Sequence, residues 1–292
     1  MESFSTTNIL ALVGGGPTPN WTPDKLIIWD DYQGHQVDTI KFKSPINAVK
    51  ICRNGNVGRI IIAADGFIHY YNISDLTCIS KIPTFANPRG ICSVTMKDSC
   101  VIAYPAESQG KVGFAIDPLS DEKPKIDIKA PFVAHEGQLA CVALSQDGKY
   151  VATASDKGTL IRIFEVQTGN KVKEFRRGAD QADIFTIAFS RDSSLLAVSS
   201  SKGTCHVFVV RTSKIQNRQS TSIFKGVLPY FSSEWSPVQV PLSKSFTSVC
   251  FTRDKKHLVA VSQDACYSKV SLITEKGELK YLVEDDGVNL LN

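Results

Sequence analysis

The sequence predicts an all-β fold made of repeated four-stranded sheets, on three observations. The 292-residue chain repeats a turn–strand–turn–strand pattern: SQDGKYVATASDKG, SRDSSLLAVSSSKG and TRDKKHLVAVSQDA. Its apolar segments are short, rich in Val, Ile, Thr and aromatic residues, and bounded by turn formers, which is strand composition. No segment of useful length carries apolar residues at helical spacing. The marks Asn54, Asp98, Asp147, Asp192 and Asp254 lie 44, 49, 45 and 62 residues apart. A period of roughly 40–45 residues with four short strands per repeat is that of a β-propeller blade.

Taken in order, NILALVGGG, KLIIWDD and HQVDTIKF supply the strands of a first repeat. Trp29-Asp30 closes a strand as the WD dipeptide of WD-repeat blades does. Gly14-Gly15-Gly16 lacks the G-x-G-x-x-G spacing of a dinucleotide site and precedes Pro17, so it reads as a turn. GRIIIAA and FIHYYNI are strands of a second repeat, and a weaker copy surrounds Asp98. YVATAS and TLIRIFEV, then LLAVSS and TCHVFVV, then HLVAVS supply the three clearest copies. In each of these, a small residue (Gly158, Gly203, Ala265) opens the next strand 11 positions after the aspartate. The chain thus holds about six blades' worth of strands in one propeller domain spanning 1–292.

The 62-residue spacing exceeds its neighbours by about 17 residues, and loops of that length are usually functional or disordered. The excess forms an inserted loop at about 211–236. It opens polar and then turns aromatic (IFKGVLPYFSSEW). Between Arg211 and Ser233 it has four cations, Arg211, Lys214, Arg218 and Lys225, and no acid.

Phe175-Arg176-Arg177-Gly178 ends the strand NKVKEF. Strand side chains alternate between faces, so the two arginines point to opposite sides and suit two neighbouring anion pockets. The guanidinium fork matches phosphate oxygens and stays charged. Taken by itself, an ordinary solvated pair in a turn is the competing reading.

Composition excludes several functions. A net charge of +4 is too mild for a non-specific nucleic-acid binder. The eight cysteines show no metal-binding spacing, so free, mostly buried thiols in a reducing compartment are expected. No apolar run reaches ~18 residues. Glu2 and a five-residue apolar run (Ile9 to Val13) do not read as a secretory signal. No catalytic constellation is defensible, so neither an enzyme nor a cofactor is expected.

The run TASDKGTLIRIFEVQTGNKVKEFRRGADQADIF with AVSSSKGTCHVF resembles the PROPPIN family, whose signature is Phe/Leu-Arg-Arg-Gly. AHEGQLACVALS, LALVGGG with IIWDD, and VLPYFSSEWS are similar to the same family, so the likeness covers essentially the whole chain. The resemblance implies a seven-bladed propeller. Only Met1 to Thr7 precede NILALVGGG, so about six of the expected seven blades are present. It also implies two headgroup sites for phosphatidylinositol 3-phosphate and 3,5-bisphosphate. The first comprises His135, Ser155, Thr159, Arg162 and Arg176. The second comprises Arg177, Ser199, Ser201, Thr204 and His206. For each hydroxyl the alternative is a structural turn or strand hydrogen bond, and for His206 a satisfied strand residue. Lys157 and Lys202 are rim charges or simply solvated.

The implied biology is a cytoplasmic protein peripheral on autophagosomal precursor, endosomal or vacuolar membranes, with autophagy proteins such as a lipid-transfer partner. Arg211, Lys214, Arg218, Phe224 and Lys225 are the expected membrane-contact residues of the loop. The competing reading places the VLPYFSSEW aromatics in the outer strand of their blade, facing the core. The alternative function is a WD-repeat scaffold that binds only proteins.

Overall fold

The computed structural model describes residues 2–3, 8–55, 57–119, 125–211 and 233–289, with the backbone alone at 2–3 and 286–289. These residues form strands and turns without a helix. The chain divides into two compact units, Met1–Val133 and Ala134–Asn292.

The first unit holds three antiparallel sheets of four strands. They are β1 (Glu2–Ser3), β2 (Ile9–Val13), β3 (Lys25–Asp30) and β4 (His35–Lys41); β5 (Ala48–Asn54), β6 (Val57–Ala64), β7 (Phe67–Asn72) and β8 (Cys78–Pro83); and β9 (Ser93–Met96), β10 (Cys100–Pro105), β11 (Lys111–Asp117) and β12 (Asp127–Val133). The second unit holds three more. The fourth sheet is β13 (Leu139–Leu144), β14 (Tyr150–Ser155), β15 (Leu160–Glu165) and β16 (Lys171–Arg176). The fifth is β17 (Ile184–Phe189), β18 (Leu195–Ser200), β19 (Thr204–Val209) and β21 (Val238–Pro241). The sixth is β22 (Thr247–Phe251), β23 (His257–Ser262), β24 (Cys266–Glu275) and β25 (Glu278–Asn289). The two-residue β20 (Glu234–Trp235) adds to β16 in parallel.

The strands fall where composition puts them, KLIIWD, YVATAS, LLAVSS and HLVAVS to the residue. One expectation shifts. The outer strand of the fifth sheet is Val238–Pro241, and of the VLPYFSSEW aromatics the described Trp235 joins the edge of the fourth sheet, the others lying outside the described residues.

The repeated turn has one hydrogen-bond plan in all three clear copies. Ser145, Ser190 and Thr252 donate their hydroxyls to Asp147, Asp192 and Asp254, at 2.7, 2.9 and 2.6 Å. Each hydroxyl oxygen then accepts the N–H that opens the following strand, of Tyr150, Leu195 and His257. The residue after each aspartate is left-handed: Gly148, Ser193 and Lys255, with φ of 69°, 58° and 55°. An Asp side chain that caps its own turn favours such a bend.

Successive sheets within a unit bury their facing side chains against one another. Ala152, Ile161, Ile163 and Phe175 of the fourth sheet pack on Ile187, Val198 and Phe208 of the fifth. Val207, Val209 and Val240 of the fifth pack on Val249, Leu258 and Val270 of the sixth. The eight cysteines are free thiols. Cys52, Cys100 and Cys205 are buried, whereas Cys78 and Cys250 are exposed, against the expectation of burial. Cys250 stands on a strand whose alternate positions face solvent, and Cys78 opens the edge strand of its sheet.

Candidate functional site

The FRRG segment lies where the fourth sheet meets the fifth. Phe175 is fully buried and stacks on Phe208, with ring centroids 4.7 Å apart and planes at 14°. Arg177 is two residues on and shares that face by strand alternation. His206 is likewise two residues from Phe208 and stacks beside it at 6.1 Å. One stiff aromatic contact between sheets therefore sets Arg177 toward His206.

The backbone N–H of Arg177 donates to the Thr159 carbonyl at 2.9 Å. Its Nε donates to the Gly158 carbonyl at 2.9 Å and its Nη2 to the Asp180 carbonyl. Gly158 has φ of 61°, and a Cβ there would stand 1.9 Å from the Ala182 carbonyl oxygen, so glycine is required. Arg177 is 5% exposed. Among the described residues no carboxylate lies within ion-pair distance of it, and burial lowers its pKa against a small opposing pull from Asp180. The guanidinium thus keeps its charge in a dry site with neutral partners, an arrangement that favours an anion.

His206 is buried, and its Nδ1 is 2.9 Å from the hydroxyl of the fully buried Ser236. Burial first, and the Arg177 charge second, push its pKa down to about 4. At neutral pH it is an uncharged imidazole, which donates through one N–H only.

The opposite face of β16 carries Arg176, which is 3% exposed, and Glu174. Glu174 lies directly across from Arg162 in the β15–β16 register. Its carboxylate accepts from Arg162 Nε at 2.9 Å, Lys171 Nζ at 3.1 Å and the Ser233 hydroxyl at 2.8 Å. Burial pushes the Glu174 pKa up, but these donors outweigh it and hold the group near 2. Arg162 also donates to the Ala134 carbonyl at 2.7 Å. His135 stands beside this pair, with Nε2 2.9 Å from the Thr153 hydroxyl, which in turn donates to the Arg162 carbonyl. Burial and then the charge of Arg162 lower its pKa to about 4.

The remaining expected residues separate into two groups. Ser155 is buried, and its carbonyl and that of Thr159 brace the turn that holds Arg177. Ser199 spends its hydroxyl on the Thr247 carbonyl of the next sheet, at 2.7 Å. Ser201 accepts the Asp183 N–H at 3.0 Å. Thr204 opens β19, partly exposed, opposite Pro241. Arg211 follows the far end of β19, away from Arg176 and Arg177, with its guanidinium 4.8 Å over the Tyr150 ring. Lys214, Arg218, Phe224 and Lys225 lie outside the described residues.

Sequence reasoning did not find Glu174, Ser233 or Ser236. The chain returns across both faces at Ser233–Ser236: Ser233 bonds Glu174, Glu234 pairs with Lys173 at 2.6 Å, and Ser236 bonds His206. For Glu174 a signal existed, since it precedes Arg176 by two and so shares its face.

The PROPPIN family model matches residues 20–245. The chain belongs to the PROPPIN family. Similar proteins include Autophagy-related protein 18e of Arabidopsis thaliana, 34% identical over 253 residues, which cover 84% of this chain and 65% of that one. SVP1-like protein 2 of Emericella nidulans is 37% identical over 225 residues, 76% of this chain and 67% of that one. This PROPPIN chain therefore spans about two thirds of the length of these relatives. Among solved structures, Kluyveromyces lactis Hsv2 with complete loop 6CD superimposes with a TM-score of 0.75 at 25% identity, covering 96% of this chain and 83% of that one. The fold is a β-propeller, as the repeats predict.

Proposed function

We propose that this PROPPIN chain is a phosphoinositide-binding peripheral membrane effector, not an enzyme, acting in autophagy and in endosome or vacuole membrane dynamics. Its headgroups are phosphatidylinositol 3-phosphate and 3,5-bisphosphate. The observation that carries this reading is the burial of Arg177 with, among the described residues, only backbone carbonyls as hydrogen-bond partners. A buried cation without a counter-ion is costly for a structural role and fitting for a phosphate receptor. Arg176 on the opposite face supplies the other headgroup site, the first of the two. His206, held by Ser236, adds a neutral donor beside Arg177.

Two weak headgroup contacts need a further anchor for stable membrane residence. The inserted loop, with Lys214, Arg218, Phe224 and Lys225, supplies it. Family membership and the autophagy-related relatives support the cellular role; the proposed partners are autophagy proteins, a lipid-transfer protein among them.

Flotation with liposomes containing phosphatidylinositol 3-phosphate tests the reading. Wild type floats with them and not with liposomes lacking the lipid. The double variant R176T/R177T loses flotation while keeping its melting transition. Flotation of the double variant at wild-type level would reject the two-arginine mechanism. A wild-type chain that ignores the lipid would favour the protein-binding scaffold.

A further inference from the structure

We infer that the two headgroup sites are unequal, because Glu174 occupies the first one with a carboxylate of the protein's own. This rests on the reading above and assigns the headgroup chiefly to the Arg177 face.

Glu174 and Arg176 stand two residues apart on one strand, so they share a face about 6.6 Å apart along the chain. Arg162, expected as a phosphate donor, is already turned to Glu174 at 2.9 Å and to the Ala134 carbonyl at 2.7 Å. Three donors from three places in the chain (Arg162, Lys171 and Ser233) converge on that one carboxylate. The Glu174 side chain is only 16% exposed, so little water screens its charge. A phosphate that approached Arg176 would meet this anion and would have to take Arg162 from it.

Among the described residues the second face has no such occupant. Arg177 donates to the Gly158 and Asp180 carbonyls, which are dipoles without net charge. Asp180 is exposed to solvent, and its carboxylate lies beyond ion-pair range. Between the two arginines, the difference is the Glu174 carboxylate, whose charge is answered by Arg162 and Lys171 and which therefore competes with a ligand for those two donors. At close range in a partly buried site such a charge changes affinity by tenfold or more.

The ligand chemistry follows. The Arg177 face can take the more highly charged phosphate monoester without first displacing a protein group. The Arg176 face, with Glu174 in place, accepts a second headgroup only at higher concentration. Glu174→Gln removes the charge and keeps one oxygen to accept from Arg162, while its amide NH2 can donate to the Ser233 hydroxyl, so the local packing survives.

Calorimetry with a short-chain phosphatidylinositol 3-phosphate separates the sites. R177A leaves the Arg176 face alone and should bind at least about tenfold more weakly than R176A, which leaves the Arg177 face. Adding E174Q to R177A should strengthen binding by about fivefold or more; adding it to R176A should change little. A thermal melt of each variant confirms folding, and the comparison of R176A with R177A stands even if E174Q does not fold. Equal affinities for R176A and R177A, or no gain from E174Q in R177A, would overturn the inference while leaving the two-arginine reading intact. Undiminished binding by R176A/R177A would instead reject that reading itself.

Discussion

Arg59 in the first unit and Arg177 in the second are both nearly inaccessible, at 1% and 5% exposure. Their surroundings are opposite. Arg59 Nε meets Asp117 at 2.8 Å, and that same carboxylate oxygen accepts the Tyr70 hydroxyl at 2.7 Å. The other Asp117 oxygen takes the Leu119 N–H at 2.7 Å, and Arg59 Nη1 also reaches Gly58 and Asn72. That network ties the second sheet to the third and is closed: cation and anion are both inside. Arg177 has carbonyls instead. A buried cation with its counter-ion is a structural device. A buried cation with none among the described residues suits a ligand that brings the charge.

The largest expected effect breaks the closed region. D117A leaves Arg59 buried without an anion, and such a loss costs about 3–5 kcal/mol. Urea denaturation should show it as a large fall in midpoint. R177A removes a cation that had no anion and should cost only about 1–2 kcal/mol, for the hydrogen bonds to two carbonyls. A fall in stability as large as that of D117A would mean that Arg177 too is structural.

The order reverses for ligand. R177A should weaken headgroup binding about tenfold or more, in line with roughly 1.5–3 kcal/mol for a charge-assisted phosphate contact. Conservative variants in the first network that stay folded, such as Y70F, should bind like wild type. Calorimetry with a soluble headgroup reads both.

The third test is acid. His135 and His206 have pKa values near 4 in the folded chain, against about 6.5 unfolded. In that window the unfolded chain holds more protons, so stability falls as pH drops from about 6.5 toward 4 and is fully present above it. Every tenfold loss of proton affinity on folding corresponds to about 1.4 kcal/mol of this dependence. R177A should raise the His206 pKa, because a neighbouring cation that opposed protonation is gone. Titration by NMR checks the direction; an unchanged His206 would separate the two residues.

The smallest effect lies in the repeat turns. S190A should cost about 1 kcal/mol, since it removes the hydroxyl shared by Asp192 and the Leu195 N–H. It should leave headgroup affinity unaltered, because the Asp192 turn is at the end of the strands away from Arg177.

The sequence alone determined the strands, the turns and the motif. These are local: a period of two places apolar side chains on one face, and Ser/Thr–Asp turns recur wherever their residues do. The opposite aim of Arg176 and Arg177 follows from the same alternation. Tertiary structure decided the partners. Arg59 finds Asp117 58 residues away, and His206 finds Ser236 30 residues away across the inserted loop. Arg162 meets Glu174 because a bulge between Ile163 and Phe164 shifts the β15–β16 register by one, and no composition rule announces a bulge. Which charges are neutralised depends on what neighbouring sheets bring within about 3 Å, and that distance is set by the packing of Phe175 on Phe208 and of its counterparts elsewhere, not by any stretch of sequence taken alone.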